Sequence, residues 1–106
     1  MNIIESRNYK KSYKKKLKNK IQEQERFNKI ISLIKRSDNL HKLIINPLSI
    51  IYHIEQKKGN LKEYYTARIN QKIRLLMKPI GGYPYNTVEI TDIEFVDIDD
   101  SHYGEG

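Results

Sequence analysis

Two runs of alternating apolar residues, joined by a short polar segment, constrain the fold of this chain more than any other feature. The apolar positions are Tyr65, Ala67, Ile69, Ile73, Leu75 and Met77. Alternation with period two is typical of half-buried strands, and the polar residues 70–72 between the runs indicate a tight turn. The sequence therefore predicts an antiparallel hairpin in which Ile69 faces Ile73 and one face is apolar throughout.

The same register places Arg68 opposite Arg74 on the other face of the hairpin. Like charges directly across a ladder are destabilising, so a bound or neighbouring anion is the natural compensation. The alternative is that both guanidinium groups point into water and avoid each other. The arginine pair is thus a candidate anion site on the polar face of the hairpin.

The residues before the hairpin have helical spacing. Ile3 and Ile4 indicate a short first strand, and residues 19–25 are a polar stretch between two predicted helices. The apolar stripes are Tyr9, Tyr13 and Leu17 in the first helix, and Phe27, Ile30, Ile31 and Ile34 in the second. A connecting segment is predicted at residues 38–49, because Pro47 pushes the residue before it out of the helical region.

Strands are predicted from Ile50 onwards. Tyr52 and Ile54 alternate with polar residues, and the last strand is marked by Val88, Ile90, Ile93 and Phe95. The slip in phase within this strand predicts a bulge near residues 91–92. The loop at residues 79–86 is longer than a typical hairpin loop. The predicted fold is α+β, with two N-terminal helices packed on a twisted, mainly antiparallel sheet of four to five strands, in a single domain covering residues 1–106.

Charge and composition narrow the class of partner. Residues 1–87 hold all 20 Lys and Arg residues against 6 acids, whereas residues 88–106 hold 7 acids. A basic body attracts polyanions such as nucleic acid. The chain has no cysteine, and its 3 histidines are far apart, so we expect no disulfide, metal or cofactor. Neither a secretory signal nor a membrane span is expected, which makes the cytoplasm the default location.

Residues 58–76 resemble the central hairpin of the RelE/ParE toxin superfamily, particularly its YoeB-like branch. The matching positions are the two aromatics Tyr64 and Tyr65, then Thr66, then Arg68-Ile69-Asn70, and finally Arg74-Leu75. His102-Tyr103 resembles the His-Tyr pair that ends YoeB-like chains. The order of the predicted elements is also similar to that of the family.

The resemblance implies the toxin of a type II toxin–antitoxin system, an endoribonuclease that cuts mRNA on the ribosome without a metal. It implies phosphate binding by Arg74, a general base in Glu55, a general acid in His102 and a positioning role for Tyr103. Arg68 would be a second RNA-binding arginine. The other implied RNA contacts are Lys57, Lys58 and Tyr64. The implied partners are an antitoxin, the ribosome and mRNA, with operator DNA bound only through the antitoxin complex.

These residue types suit the reaction. Cutting RNA without a metal requires a base for the 2′-hydroxyl, a cation for the phosphorane and an acid for the leaving 5′-oxygen. Each residue also has an ordinary explanation: Glu55 as an exposed strand residue paired with Lys57 or Lys62, and His102 as a residue of a loose tail. The lysines of the first helix face are Lys10, Lys11, Lys14, Lys15 and Lys18, which would bind ribosomal RNA or simply be solvated.

Two other functions remain open from the sequence. ParE-like members of the superfamily act on DNA gyrase and are not nucleases, but usually lack the terminal histidine and tyrosine. A non-catalytic module that binds RNA or the ribosome is favoured if Glu55 and His102 lie on opposite sides. Convergence of Glu55, Arg68, Arg74 and His102 in one basic groove would favour the nuclease.

Overall fold

A computed structural model describes residues 1–100 of the chain, in which four α-helices pack with one five-stranded sheet. The helices are α1 (Arg7–Lys16), α2 (Ile21–Arg36), α3 (Leu40–Ile45) and α4 (Pro47–Ile51). The strands are β1 (Asn2–Glu5), β2 (Glu55–Gln56), β3 (Tyr65–Arg68), β4 (Arg74–Pro79) and β5 (Asp92–Asp99). A short 3₁₀ helix, Gly59–Leu61, connects β2 to β3.

The sheet has the strand order β1-β5-β4-β3-β2, with β1 parallel to β5 and every other pair antiparallel. This confirms the predicted fold class. The register of the β3–β4 hairpin is also as predicted, because Tyr65 pairs with Met77, and Arg68 with Arg74.

The two long helices bury the apolar stripes predicted for them. Tyr9, Leu17, Phe27 and Ile34 are all buried, and the aromatic ring of Phe95 from β5 lies between α1 and α2. Its centroid is 5.4 Å from that of Tyr9 and 6.0 Å from that of Phe27. The core therefore lies between these helices and the apolar face of the sheet.

The prediction for residues 38–54 is correct only for Asn46, which is extended as expected of the residue before a proline. The rest is wrong, because two short helices occupy the predicted connecting segment and the start of the predicted strand. Asn39 caps α3 by accepting a hydrogen bond from the Lys42 amide, and Asn46 caps α4 in the same way through the Leu48 amide. Pro47 occupies the first turn of α4, where its missing N–H costs nothing, so this proline begins a helix. Ile50 consequently lies in α4, and only Glu55–Gln56 of the predicted strand pairs with the sheet.

The predicted bulge is also misplaced. Leu76 pairs with Asp97 and Met77 with Phe95, so Val96 is the extra residue, and β5 begins only at Asp92. Ile90 lies before β5, yet its side chain is part of the buried core. Its carbonyl accepts a hydrogen bond from the Leu40 amide at the start of α3. None of the helices in residues 1–100 combines the length and the apolar character needed to cross a membrane.

Candidate active site

The face of the β3–β4 hairpin turned away from the core carries the charged side chains that could take part in a reaction, and we call it the polar face. One row across it runs from Arg68 to Arg74 and on to Asp99. The next row runs from Glu55 through Thr66 and Leu76 to Asp97. Partners in register share a face, and so do residues two apart on one strand. Glu55, Arg68 and Arg74 therefore lie on the same face.

The arginine pair is not simply hydrated. Arg68 and Arg74 are both half-buried, and Thr66 and Leu76 beside them are largely buried. The Nε of Arg68 is fully buried and has no hydrogen-bond partner among the described residues. A buried guanidinium N–H without an acceptor is costly, which favours the interpretation of this pair as an anion site.

The chain itself supplies part of the compensating negative charge. Asp99, only 4% exposed, lies directly across from Arg74 in the register of β4 and β5. The neighbouring anion expected for the like-charged pair is thus present as a carboxylate on the Arg74 side. Among residues 1–100, no such register partner lies on the outer side of Arg68, because β2 pairs with only Tyr65 and Thr66 of β3.

Glu55 is positioned at the edge of the sheet with its carboxylate largely exposed. Its Oε1 lies 3.9 Å from Nδ1 of His53. His53 adopts a left-handed backbone conformation with φ of 51°, which ends the turn after α4 and directs the chain into β2. Glu55 is therefore held at a defined place while its carboxylate stays accessible to a substrate.

Lys57 and Tyr64 extend this face beyond Glu55. The Lys57 amide donates to the Tyr64 carbonyl at 2.8 Å, so the two residues continue the β2–β3 ladder side by side. Tyr64 is half-buried, and the Nζ of Lys78 lies 5.6 Å from its ring centroid. Lys58, at the start of the 3₁₀ helix, is exposed. The residues up to 100 that the resemblance assigns to catalysis or RNA binding thus lie on the polar face or at the β2 edge of the sheet. The lysines of α1 do not.

Solved structures share this architecture. A YoeB/ParE toxin from Agrobacterium tumefaciens superposes with a TM-score of 0.64 at 18% identity, covering 94% of this chain and 98% of that one. The YoeB dimer from Staphylococcus aureus gives a TM-score of 0.61 at 25% identity, covering 93% and 94%. A YoeB in the heterotetrameric YoeB–YefM toxin–antitoxin complex from S. aureus gives 0.62 at 23%, again covering 93% and 94%. The chain has the RelE/ParE toxin fold. No protein-family model matches the sequence, and no curated protein does so either.

In this RelE/ParE fold the two terminal residues of the predicted site, His102 and Tyr103, lie outside the described residues. β5 ends at Asp99, beside Arg74. No group of three or more His, Cys, Asp or Glu residues with the geometry of a metal site occurs between residues 1 and 100.

Two residues that the sequence did not single out, Arg26 and Glu23, help to hold the hairpin turn in place. Arg26 of α2 donates from Nε to the carbonyl of Arg68 at 2.8 Å and from Nη2 to the carbonyl of Ile51 at 3.0 Å. Its guanidinium also lies over the ring of Tyr52, 5.1 Å from the centroid. These contacts tie the end of β3 to α2 and α4.

Asn70 adds further hydrogen bonds from within the turn, and we call these contacts of Arg26 and Asn70 the brace. Its Oδ1 accepts from the amides of Lys72 and Ile73, and its Nδ2 donates to Oε2 of Glu23 at 3.1 Å. The hydrogen bond from Asn70 is the main reason that the pKa of Glu23 lies below its usual value. Residues 19–25 were interpreted as a polar stretch, but α2 begins at Ile21. Glu23 and Arg26 are therefore neighbours on α2, a spacing that was visible only once the helix start was known.

The lysines of α1 lie on a different surface. Lys10, Lys11, Lys14 and Lys15 are exposed on the helix, and Lys18 is exposed just beyond its end. Lys16 differs from them, because its Nζ forms an ion pair with Oδ1 of Asp100 at 3.1 Å. The last turn of α1 thus lies next to the end of β5.

Proposed function

We propose that this chain is the toxin of a type II toxin–antitoxin system and that it cleaves mRNA bound to the ribosome. The observation that carries the proposal is the placement of Glu55, Arg68 and Arg74 on one face of a RelE/ParE fold. A carboxylate and two arginines so arranged provide a base and a clamp for a phosphodiester.

Glu55 takes the proton of the 2′-hydroxyl, whose oxygen then attacks the adjacent phosphorus. Glu55 is on β2 and Arg74 on β4, two interstrand spacings apart and displaced by two residues along the strands, or about 12 Å between backbones. That separation leaves room for a phosphate between the two side chains. Arg74 and Arg68 bind the phosphorane oxygens, since a guanidinium stays charged and binds two oxygens at once.

The leaving 5′-oxygen requires a proton, and we assign it to His102. The chain leaves β5 at Asp99, beside Arg74, and three further residues span at most about 10 Å. The length of this segment therefore permits His102 to reach a phosphate held by Arg74. Histidine suits this role because its proton exchanges near neutral pH. Tyr103, next to it, is assigned to positioning the scissile nucleotide by stacking.

A reconstituted translation mixture tests the proposal directly. The purified protein should cut a defined mRNA when ribosomes are present and leave the same RNA intact without them. Primer extension locates the cut, and a chelator in the buffer shows whether the chemistry needs a metal. Intact mRNA combined with inhibited supercoiling by DNA gyrase would replace this function with that of a ParE-like toxin.

We propose an antitoxin as the cognate protein partner, as YefM is for the YoeB of S. aureus. Residues 1–87 carry an excess of 14 positive charges, to which an acidic, largely disordered segment would bind with electrostatic complementarity. Expression of the toxin alone should stop growth, and co-expression of the protein encoded next to it should restore growth. Harmless accumulation of the lone protein would contradict this proposal.

A further inference from the structure

A second set of aromatic and basic side chains lies at the end of the hairpin remote from Arg68 and Arg74. We call it the tyrosine cluster, and its members are Tyr64, Tyr83, Tyr85, Lys62 and Lys78. Tyr83 and Tyr85 belong to the connection between β4 and β5, the loop that is long for a hairpin of this kind. None of the catalytic roles assigned above uses this loop.

The loop is fastened to the hairpin through Tyr85. The Tyr85 hydroxyl donates to the Glu63 carbonyl at 2.6 Å, and its ring packs against the core. Burial, and then the nearby Glu63, raise the pKa of Tyr85 to about 12, so the hydroxyl keeps its proton at neutral pH. Gly81 lies so close to Ile90 that an added Cβ would be 2.5 Å from Ile90 Cδ1. Both ends of the loop are thus anchored by packing.

Tyr83 is the exposed ring on this anchored loop. It is 38% exposed, and its ring meets that of Tyr85 edge-on, with centroids 5.4 Å apart and planes at 89°. Lys62 lies over its ring with Nζ 5.3 Å from the centroid, as Lys78 lies over Tyr64. An aromatic ring held in place by its neighbours loses little entropy when a ligand stacks on it.

Lys78 connects the cluster to the arginine pair. Lys78 and Arg74 are four residues apart on β4 and share the polar face, which separates them by about 13 Å. The register partners along this path on β5 are three acids, with Glu94 opposite Lys78, Asp97 opposite Leu76 and Asp99 opposite Arg74. Cations at both ends of the hairpin, with aromatic rings at one of them, form a track for an extended polyanion that also carries flat bases.

We propose that Tyr83, together with Tyr64, is a base-stacking site for single-stranded RNA, and that Lys62 and Lys78 bind the adjoining phosphates. This inference rests on the proposed function and names the part of the substrate that the loop recognises. An acidic peptide would satisfy the lysines but would leave the ring of Tyr83 without a matching partner. Nucleobases match it because each has a π face.

Binding of a non-cleavable RNA tests this site separately from catalysis. The probe is a short fluorescein-labelled oligouridine with 2′-O-methyl groups, which cannot be cut, and the readout is fluorescence anisotropy. Tyr83→Ala should weaken binding about tenfold, whereas Tyr83→Phe, which keeps the stacking face, should bind like the parent chain. Val88→Ala is the matched control, since Val88 is 59% exposed in the same loop.

A probe with one abasic nucleotide sharpens the result. At the position that stacks on Tyr83, the abasic change and Tyr83→Ala should be non-additive, because each removes the same contact. Unchanged RNA binding by Tyr83→Ala, or equal losses in Tyr83→Ala and Tyr83→Phe, would overturn the site. Loss of antitoxin binding alone would reassign the cluster to protein recognition. If the parent chain cuts ribosome-bound mRNA while Tyr83→Ala binds the RNA probe normally, this inference fails and the proposed function stands.

Discussion

The two faces of the β3–β4 hairpin are built from alternate residues of the same strands, yet different forces hold them. On the core face, Ala67, Leu75 and Met77 are fully buried beneath the helices. On the polar face, half-buried arginines lie between a buried Asp99 and an exposed Glu55. The first face is stabilised by packing and the second is arranged for electrostatics. Changes on the core face should therefore cost stability, and changes on the polar face should cost activity.

The largest effect is expected for Leu75→Ala. Leu75 is fully buried, so truncation removes apolar contacts and leaves a cavity, which should lower the free energy of unfolding by about 3 kcal/mol. Urea denaturation measures the change. Ile50→Ala is the matched control, because Ile50 is 79% exposed and should change stability by less than about 0.5 kcal/mol. Equal losses in both variants would show that the core face does not dominate stability.

In the proposed active site, Arg74→Ala and His102→Ala should each lower cleavage of ribosome-bound mRNA by about a hundredfold or more. Arg68→Ala should have a smaller effect. Thermal melting should show that the variants fold, with some loss of stability in Arg74→Ala because the buried carboxylate of Asp99 loses its neighbouring cation. Arg36→Ala, which changes an exposed arginine at the end of α2, controls for the loss of charge. Full activity of folded His102→Ala would remove the acid from the scheme, and full activity of Arg74→Ala would remove the nuclease assignment.

The core face could be predicted from the sequence because alternation fixes register: a slip by one residue would have turned every apolar side chain outward. The apolar stripes of α1 and α2 were predictable because the helical period likewise fixes which side chains share the buried face. Residues 38–54 were not, because the alternation of Tyr52 and Ile54 indicated a strand from Ile50, whereas Asn39 and Asn46 cap two helices that extend as far as Ile51. In the candidate site, the pairing of Arg68 with Arg74 followed from local pattern. The placement of Asp99 and the brace from Arg26 depend on contacts between distant segments, which periodicity does not encode.

The brace is the place where the two faces are coupled. Arg26→Ala removes the hydrogen bonds to Arg68 and Ile51 and the contact with Tyr52, so we expect about 1–2 kcal/mol of destabilisation. Cleavage should fall about tenfold through kcat, because the end of β3 is no longer fixed and the arginines are misplaced.

Arg26→Lys separates positioning from charge. Lysine keeps the positive charge but lacks the planar fork that reaches two carbonyls at once, so it should restore stability more than kcat. Lys29→Ala, an exposed change on the same helix, is the control. Stability lost without any change in kcat would show that the brace is structural only.

The smallest effect is expected for the exposed lysines of α1, a helix that packs against β5 on the core side of the sheet. A combined replacement of Lys10, Lys11, Lys14 and Lys15 by glutamine should weaken binding to ribosomes and leave the rate constant of the cleavage step unchanged. Exposed lysines act through phosphate contacts, so the dependence of binding on salt should also become less steep. Lys16 is left in place, since its ion pair with Asp100 joins α1 to the end of β5. Glutamine replacements at Lys29, Lys35, Arg36 and Lys42, exposed on α2 and α3, remove the same number of charges and serve as the control for the loss of net charge. If the control and the α1 variant have the same salt dependence, the lysines of α1 act only through net charge and form no specific contact surface.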